Sequence, residues 1–391
     1  MRTDVPAFFL AGPTRTVVGE GERESFQGTL RSPERWLAEI DRALAASDDP
    51  RGSFVVGALP FGEDAPVRLF RPVHGAVSDA WGATSEPARA VARTPIDRVA
   101  HDESGGFVDA VAQAAGAIRR GALKKVVLAR AKELTVDERP DVRALLSVLR
   151  ARNPHGFTYS LDVAPGASEP TRLVGASPEL LLSRRGATVV SVPLAGSIPR
   201  SADPVEDRER AARLLRSPKD RHEHEIVVEH VVASLAPLTR TLRFEREPVV
   251  SGTPTMWHLS TRIEGTLRDR DLSSLRLAVA LHPTPAVCGL PTRDAREWIA
   301  RLEGLDRGYF TGALGYTRAG GDGDWIVAIR CAEIAGARVR VFAGAGIVGS
   351  SDPELELAET SAKMRTVLGA LVPSRDVDPP RSHAERADDE R

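Results

Sequence analysis

The sequence predicts an α+β fold built mainly on antiparallel sheets. Two observations carry this. Strand-like apolar runs come in groups with helical stretches segregated between them. A long meander also runs from Tyr309 to Val348, turning at Gly320-Gly321-Asp322-Gly323. Grouping of this kind, without a strict βαβ rhythm, is the pattern of segregated layers, not of a doubly wound sheet.

In chain order, a helix over 33–46 interrupts a β-rich opening. Phe54–Phe61 and Val67–Phe70 are apolar runs on either side of a turn. Pro72–Arg93, rich in Ala, Ser and Pro, reads as an exposed connection. The pattern then becomes denser: helix 106–120, strand 125–130, helix 141–151, strand 157–163, and strands near 171–176, 179–184 and 187–193. Helices follow at 205–215 and 218–236, then strand 256–266, helices 272–280 and 293–303, the meander, and helix 353–370. The tail from about Pro373 is polar and charged, the composition of a disordered segment.

The chain has 391 residues, enough for a large core or two domains. Lys and Arg total 53 against 54 Asp and Glu, a net charge of -1, so no basic field points to nucleic acid. Aromatics make up only 5%, too few for base-stacking platforms. Cys288 and Cys331 lie far apart without paired spacing, as suits a reducing cytosol. Met1-Arg2-Thr3-Asp4 leads into a short apolar run that resembles neither a signal peptide nor a membrane span. The expectation is a cytoplasmic protein acting on a small molecule, with no nucleic-acid or membrane partner.

Two helices carry acids where core residues belong. Ser217-Pro218-Lys219-Asp220 reads as a cap, a first-turn proline and a capping acid. Val227, Val228, Val231, Val232 and Leu235 then form a buried stripe, and Glu223 and Asp220 extend it toward the N-terminus. Buried carboxylates need cations or hydrogen-bond donors; the bland alternative is a solvated first turn favoured by the helix dipole. Near the C-terminus, Ser351-Asp352-Pro353-Glu354 opens a second such helix, with Glu356, Glu359 and Lys363 along one face. Two carboxylate pairs meeting across a cleft would hold a hard divalent ion such as magnesium. The alternative here is an ordinary Glu359–Lys363 surface pair.

Other signals mislead. Gly344-Ala345-Gly346-Ile347-Val348-Gly349 spells G-x-G-x-x-G, but no further strand follows helix 353–370, so a dinucleotide unit is incomplete. Those glycines better serve close backbone approach, with N–H groups offered to a carboxylate. His222, His224 and His230 do not form a zinc-protease motif, and Ser177 is not in a nucleophile elbow.

Eight stretches, in order over about residues 100–370, resemble the chorismate-utilising enzymes. They are Lys124–Arg130, Gly175–Glu179, Pro193–Ser197, Lys219–His224, His282–Ala286, Asp324–Arg330, Ala343–Ile347 and the Glu356/Glu359/Lys363 helix. The resemblance implies two antiparallel sheets packed as a sandwich with helices outside, the fold of anthranilate synthase component I. Residues 1–100 would be its variable N-terminal part, 101–371 the catalytic region and 372–391 a disordered tail. By resemblance Lys125 is the general base and Glu179 the general acid. Glu223 and Glu359 hold Mg2+, with Asp220 and Glu356 behind waters. Arg330, Lys363 and the Gly344 and Gly346 backbone take the enolpyruvyl carboxylate, and Gly196, Ser197 and His258 line the ring.

Moving a hydroxyl from C4 to C2 of chorismate needs a base and an acid flanking the ring. A lysine serves as base only where burial or a neighbouring cation disfavours its ammonium. Lys125 begins an apolar strand, whereas Lys124 should face the other way. Aminating members lack a lysine at the position of Lys125, and one type carries a lysine where this chain has Ala195. Water is therefore the expected nucleophile, with no glutaminase subunit. The His282–Ala286 stretch and Phe310 resemble isochorismate synthases, which makes His282 and Phe310 substrate-facing by resemblance. Salicylate synthases, which go on to eliminate pyruvate, are the alternative, and many have glutamate where Asp220 stands. A binding relative without turnover is the non-enzyme alternative.

Overall fold

Every strand pairing among the described residues is antiparallel, as short apolar runs joined by turns require. The computed structural model describes residues 5–46, 53–79, 96–102 and 104–371. The opening comprises β1 (Phe8–Ala11), β2 (Arg15–Glu20), β3 (Glu24–Phe26), α1 (Glu34–Ala45), β4 (Phe54–Leu59), β5 (Arg68–Arg71), β6 (His74–Asp79) and β7 (Ile96–Asp102). Next come α2 (Ser104–Arg119), β8 (Lys125–Val136), α3 (Val142–Arg152), β9 (Phe157–Asp162), β10 (Thr171–Ser177), β11 (Leu180–Arg185), β12 (Thr188–Val192) and β13 (Leu194–Pro199). The middle contains α4 (Pro204–Arg216), α5 (Pro218–Leu235), β14 (Thr239–Phe244), β15 (Val249–Gly252), β16 (Met256–Ser260), β17 (Ile263–Leu267) and α6 (Ser274–Leu281). The chain closes with β18 (Gly289–Leu290), α7 (Thr292–Leu302), β19 (Ala313–Arg318), β20 (Gly323–Val327), β21 (Cys331–Ala335), β22 (Arg338–Ile347) and α8 (Pro353–Leu371).

One large sheet runs β18-β8-β22-β21-β10-β9-β1-β2-β6, with β7 also on β8. The other runs β14-β17-β12-β11-β20-β19-β4-β5-β3. Their facing sides share a core in which Phe8, Tyr159 and Leu173 of the first meet Val56, Leu314 and Ile326 of the second. Helices cover the outer faces. Helices α1, α5 and α6 bury Trp36, Val231 and Leu277 on one side. On the other, α3 and α8 bury Leu149 and Val367, and α2 and α7 bury Val111 and Ile299. This is the expected α+β sandwich, with early strands in both sheets: β1 and β2 in the first, β4 and β5 in the second.

A third, small sheet, β13-β16-β15, was not anticipated. The expected strand 187–193 ends at Pro193, which has no N–H to continue the ladder, and the chain switches sheets into β13. The expected strand 256–266 likewise divides into β16 in the small sheet and β17 in the large one. Within Pro72–Arg93, His74–Asp79 is an edge strand paired to β2 and not a free connection; its solvated, polar residues concealed it. The rest of that stretch, and the tail beyond 371, lie outside the described residues.

Helix starts follow local chemistry. The Ser217 hydroxyl accepts from Asp220 N with Pro218 in the first turn, as expected. At α8 the cap is Asp352, which accepts from Glu354 N and Leu355 N, while Ser351 instead accepts from Val348 N. Both cysteines are free and buried. Among the described residues, no helix is long and apolar enough to cross a membrane.

Candidate active site

Two buried strands of the ten-stranded sheet, β8 and β22, bring Val127, Ala343, Gly344 and Gly346 to one wall of a narrow cavity of about 60 Å³. The small sheet contributes Ala195, Gly196, Ser197 and His258; α5 contributes Glu223, and α8 Glu359 and Lys363. Phe310, Thr311, Ile329 and Arg330 enter from the turns flanking β19–β21, and Ala286 and Val287 from the loop after α6. Phe310 and Phe342 stack with centroids 5.0 Å apart, giving an apolar surface for a ring.

Glu179 lies in the two-residue link between β10 and β11. The Ser177 hydroxyl fixes this link, donating to Val327 O at 2.6 Å and accepting from Glu179 N at 3.2 Å. Val327 N also donates to Glu179 O. Burial pushes the Glu179 carboxyl up to about 7, although the Leu194 N–H and the charges of Lys125, Arg330 and Lys363 favour ionisation. Such a group carries a proton through much of the neutral range and can give it up.

Lys125, the first residue of β8, is fully buried, and Lys124 is exposed, as the strand alternation predicted. The Lys125 ammonium is 3.0 Å from Glu223 Oε1. Burial disfavours the Glu223 carboxylate, but Lys125, Lys219 and Lys363 outweigh it and hold the carboxyl below its ordinary range. Gly346 makes this pair possible. A Cβ there would stand 2.1 Å from Glu223 Oε1 and 3.0 Å from Lys125 Cε, so the glycine serves side-chain approach and not a nucleotide.

The four acids of α5 and α8 are near enough to shift one another's ionisation. Glu356 is raised first by burial, then by the charge of Glu359, against the pull of Lys219. Asp220 is raised by burial, with Glu223 and Glu359 adding to it. Each glutamate has its own lysine: Lys125 on Glu223, Lys219 on Glu356 at 2.6 Å, and Lys363 on Glu359 at 2.6 Å. Among the described residues, no group of three or more His, Cys, Asp or Glu closes around one point as a metal cage. Asp220 and Glu356 stand behind the wall; a Cβ at Gly196, whose φ is +70, would stand 2.9 Å from Asp220 Cβ and 3.0 Å from Asp220 O, so only glycine fits there.

Arg330 and His258 face each other, Nη2 to Nε2 at 3.0 Å. Burial, then Arg330 and Lys363, lowers the imidazole well below its ordinary value, so it is neutral. Burial also lowers Arg330 to about 10, while Glu359 and Glu179 support its charge. Lys363 donates to Gly344 O at 2.9 Å as well as to Glu359. Gly196, Ser197, His258, Phe310, Arg330, Gly344, Gly346 and Lys363 therefore all border one space with Glu179.

His282 does not. Its Nε2 is 3.0 Å from Pro60 O, and it caps α6 behind the wall, while Ala286 and Val287 of the same stretch reach the cavity. A sequence motif marks the loop but not which of its members points inward. Sequence reasoning also missed Thr311, Phe342 and Val287. Thr311 and Arg330 are the only non-glycine residues with positive φ among the described residues, and both line the cavity. Such strain collects at functional sites, and nothing in a threonine's identity announces it.

Known proteins share this arrangement of chain. A profile of chorismate-binding enzymes matches residues 74–372. Isochorismate synthase DhbC of Bacillus subtilis is 45% identical over 372 residues, covering 93% of each chain. A Bacillus anthracis protein described as a 2,3-dihydroxybenzoate-specific isochorismate synthase, DhbC, superposes with a TM-score of 0.84 at 44% identity, covering 93% of this chain and 95% of that one. Anthranilate synthase component I of Streptococcus pneumoniae has the same fold, with a TM-score of 0.73 at 21% identity and 90% and 92% coverage. The chain belongs to the family of chorismate-binding enzymes.

Proposed function

We propose that this protein is an isochorismate synthase. It converts chorismate to isochorismate by adding water at C2 and releasing the C4 hydroxyl, a hydroxymutase reaction with no net redox change. The observation that carries this reading is the buried Glu179 carboxyl, near 7, at a cavity backed by the buried Lys125 amine. The likeness to DhbC over 93% of both chains supports it.

Lys125, in its neutral amine form, would take a proton from the attacking water, and Glu179 would give one to the departing hydroxyl. Arg330 and Lys363, with the Gly344 and Gly346 backbone, suit the enolpyruvyl carboxylate. Gly196, Ser197 and His258 would border the ring against the Phe310–Phe342 stack. His258, neutral beside Arg330, can accept from the guanidinium without adding charge.

Magnesium is part of the proposal. The donor set is all carboxylate, with Glu223 and Glu356 buried and Asp220 and Glu359 half-buried, and more acid than the three paired lysines neutralise, which suits a hard cation. Bound by Glu223 and Glu359, with Asp220 and Glu356 behind waters, it would supply positive charge for the ring carboxylate of a dianion. The lysines now on these acids would have to yield partners to it. Water as nucleophile needs no glutaminase subunit, and a cytoplasmic location agrees with two unpaired cysteines.

Incubation with chorismate and magnesium, followed by product separation, tests the reading. Isochorismate supports it. Salicylate with pyruvate indicates a salicylate synthase, product only with added ammonia an aminating enzyme, and unchanged chorismate a binding relative.

A further inference from the structure

Behind the cavity wall lies a buried ion pair that the chemistry above does not use. Glu303 follows α7, Arg307 lies four residues further along the loop, and the side chains are each 2% exposed. Burying two charges is costly unless every donor and acceptor is met. Arg307 meets that condition with all five N–H groups. Two go to Glu303: Nε to Oε2 at 2.8 Å, and Nη2 to Oε1. The others reach Val127 O at 2.8 Å, Val287 O at 2.8 Å and the Thr311 hydroxyl at 3.3 Å. Glu303 Oε1 also accepts from Ala129 N at 2.8 Å, and the Phe61 ring lies 4.2 Å from the guanidinium carbon.

The three outer acceptors share one property: Val127, Val287 and Thr311 all line the cavity. They come from β8, the loop before β18 and the turn before β19, segments that meet through this guanidinium. Thr311 is held at a φ of +62, unfavourable for a β-branched residue, directly after the stacked Phe310. We infer that Arg307, oriented by Glu303, is a positioning residue for the reaction: it sets the spacing of Val127, Val287 and Thr311 and so the seat of the substrate ring. This rests on the cavity being where chorismate reacts. A lysine has three donors around one point and cannot span the same acceptors.

Arg307→Lys retains a cation for Glu303 and releases the wall. Displacing a reacting group by about 1 Å costs roughly 100-fold in rate. The expected result is kcat about 100-fold lower per folded molecule, a smaller rise in KM, and an unchanged pH profile. A kcat within about threefold of wild type, with any loss confined to the amount of folded protein, overturns the inference. Should Arg307→Lys not fold, Thr311→Gly tolerates the positive φ and removes the hydroxyl together with the rest of the side chain. It should lower kcat about tenfold, with Thr311→Ser restoring it; equal rates in the two variants overturn the inference. Wild type is assayed in parallel. If it forms no isochorismate, the functional reading has failed, and the variants are compared by chorismate affinity. Weaker binding then supports the positioning role, and an unchanged Kd overturns it.

Discussion

Replacing Glu179 with glutamine separates its chemistry from its cost to the fold. The carboxyl is buried and shifted from 4.5 to about 7. A group raised in the folded state contributes stability below its unfolded value, and that stability is lost as pH rises through the folded value. Above about pH 7 the native protein must therefore hold an ionised carboxylate that the unfolded chain ionises more easily. At about 1.4 kcal/mol per pH unit, the full penalty is about 3 kcal/mol. Glutamine keeps the shape, still accepts from the Leu194 N–H and never ionises. The stability of Glu179→Gln relative to wild type should rise by about 2–3 kcal/mol between about pH 5 and about pH 8.5, read by urea unfolding. Turnover should vanish across the same range, because no proton reaches the leaving hydroxyl. In wild type, the rate toward isochorismate should fall as pH rises through about 7 for want of the acid form. A stability difference that does not change with pH, or a variant that still turns over, would refute the assignment.

Lys125→Ala should also abolish turnover. It strands the Glu223 carboxylate, now 3.0 Å from the ammonium, and breaking a buried pair costs about 3–5 kcal/mol; near-normal rates in a rate assay would contradict its role as base. Gly346→Ala places a methyl 2.1 Å from Glu223 Oε1. Glu223 must move, so activity should fall at least tenfold and stability by about 1–3 kcal/mol. Unaltered kinetics and unfolding would mean that Glu223 does not need its present position.

Much of the site was legible because its residues violate ordinary placement. Asp220 and Glu223 extend an apolar stripe and Lys125 starts an apolar strand. Each is a polar group at a position whose period points inward, and the structure buries Lys125 and Glu223; Glu179, also buried, was marked only by the family resemblance. Position along a helix or strand follows from period, so the first three could be found. Long-range partners could not: Lys219 is 137 residues from Glu356, and Arg307 is 180 from Val127. The small sheet escaped because two strands change sheets without a break in hydrophobicity, at Pro193 and near Thr261. Thr261 marks its switch by holding His224 Nε2 at 2.7 Å, a contact no local pattern encodes. His282 misled for the opposite reason, since a motif identifies a loop while backbone geometry decides which side chains face the cavity.

The most direct measurement is the fate of solvent oxygen. Chorismate and magnesium are incubated with the enzyme in heavy-oxygen water, and the isochorismate formed is analysed for the label. Activation of water at Lys125 with departure of the hydroxyl at Glu179 predicts heavy oxygen at C2 in essentially every product molecule formed in a single forward turnover. Product carrying only the original C4 oxygen would mean that the hydroxyl migrates within the substrate, and the division of labour between base and acid would be wrong.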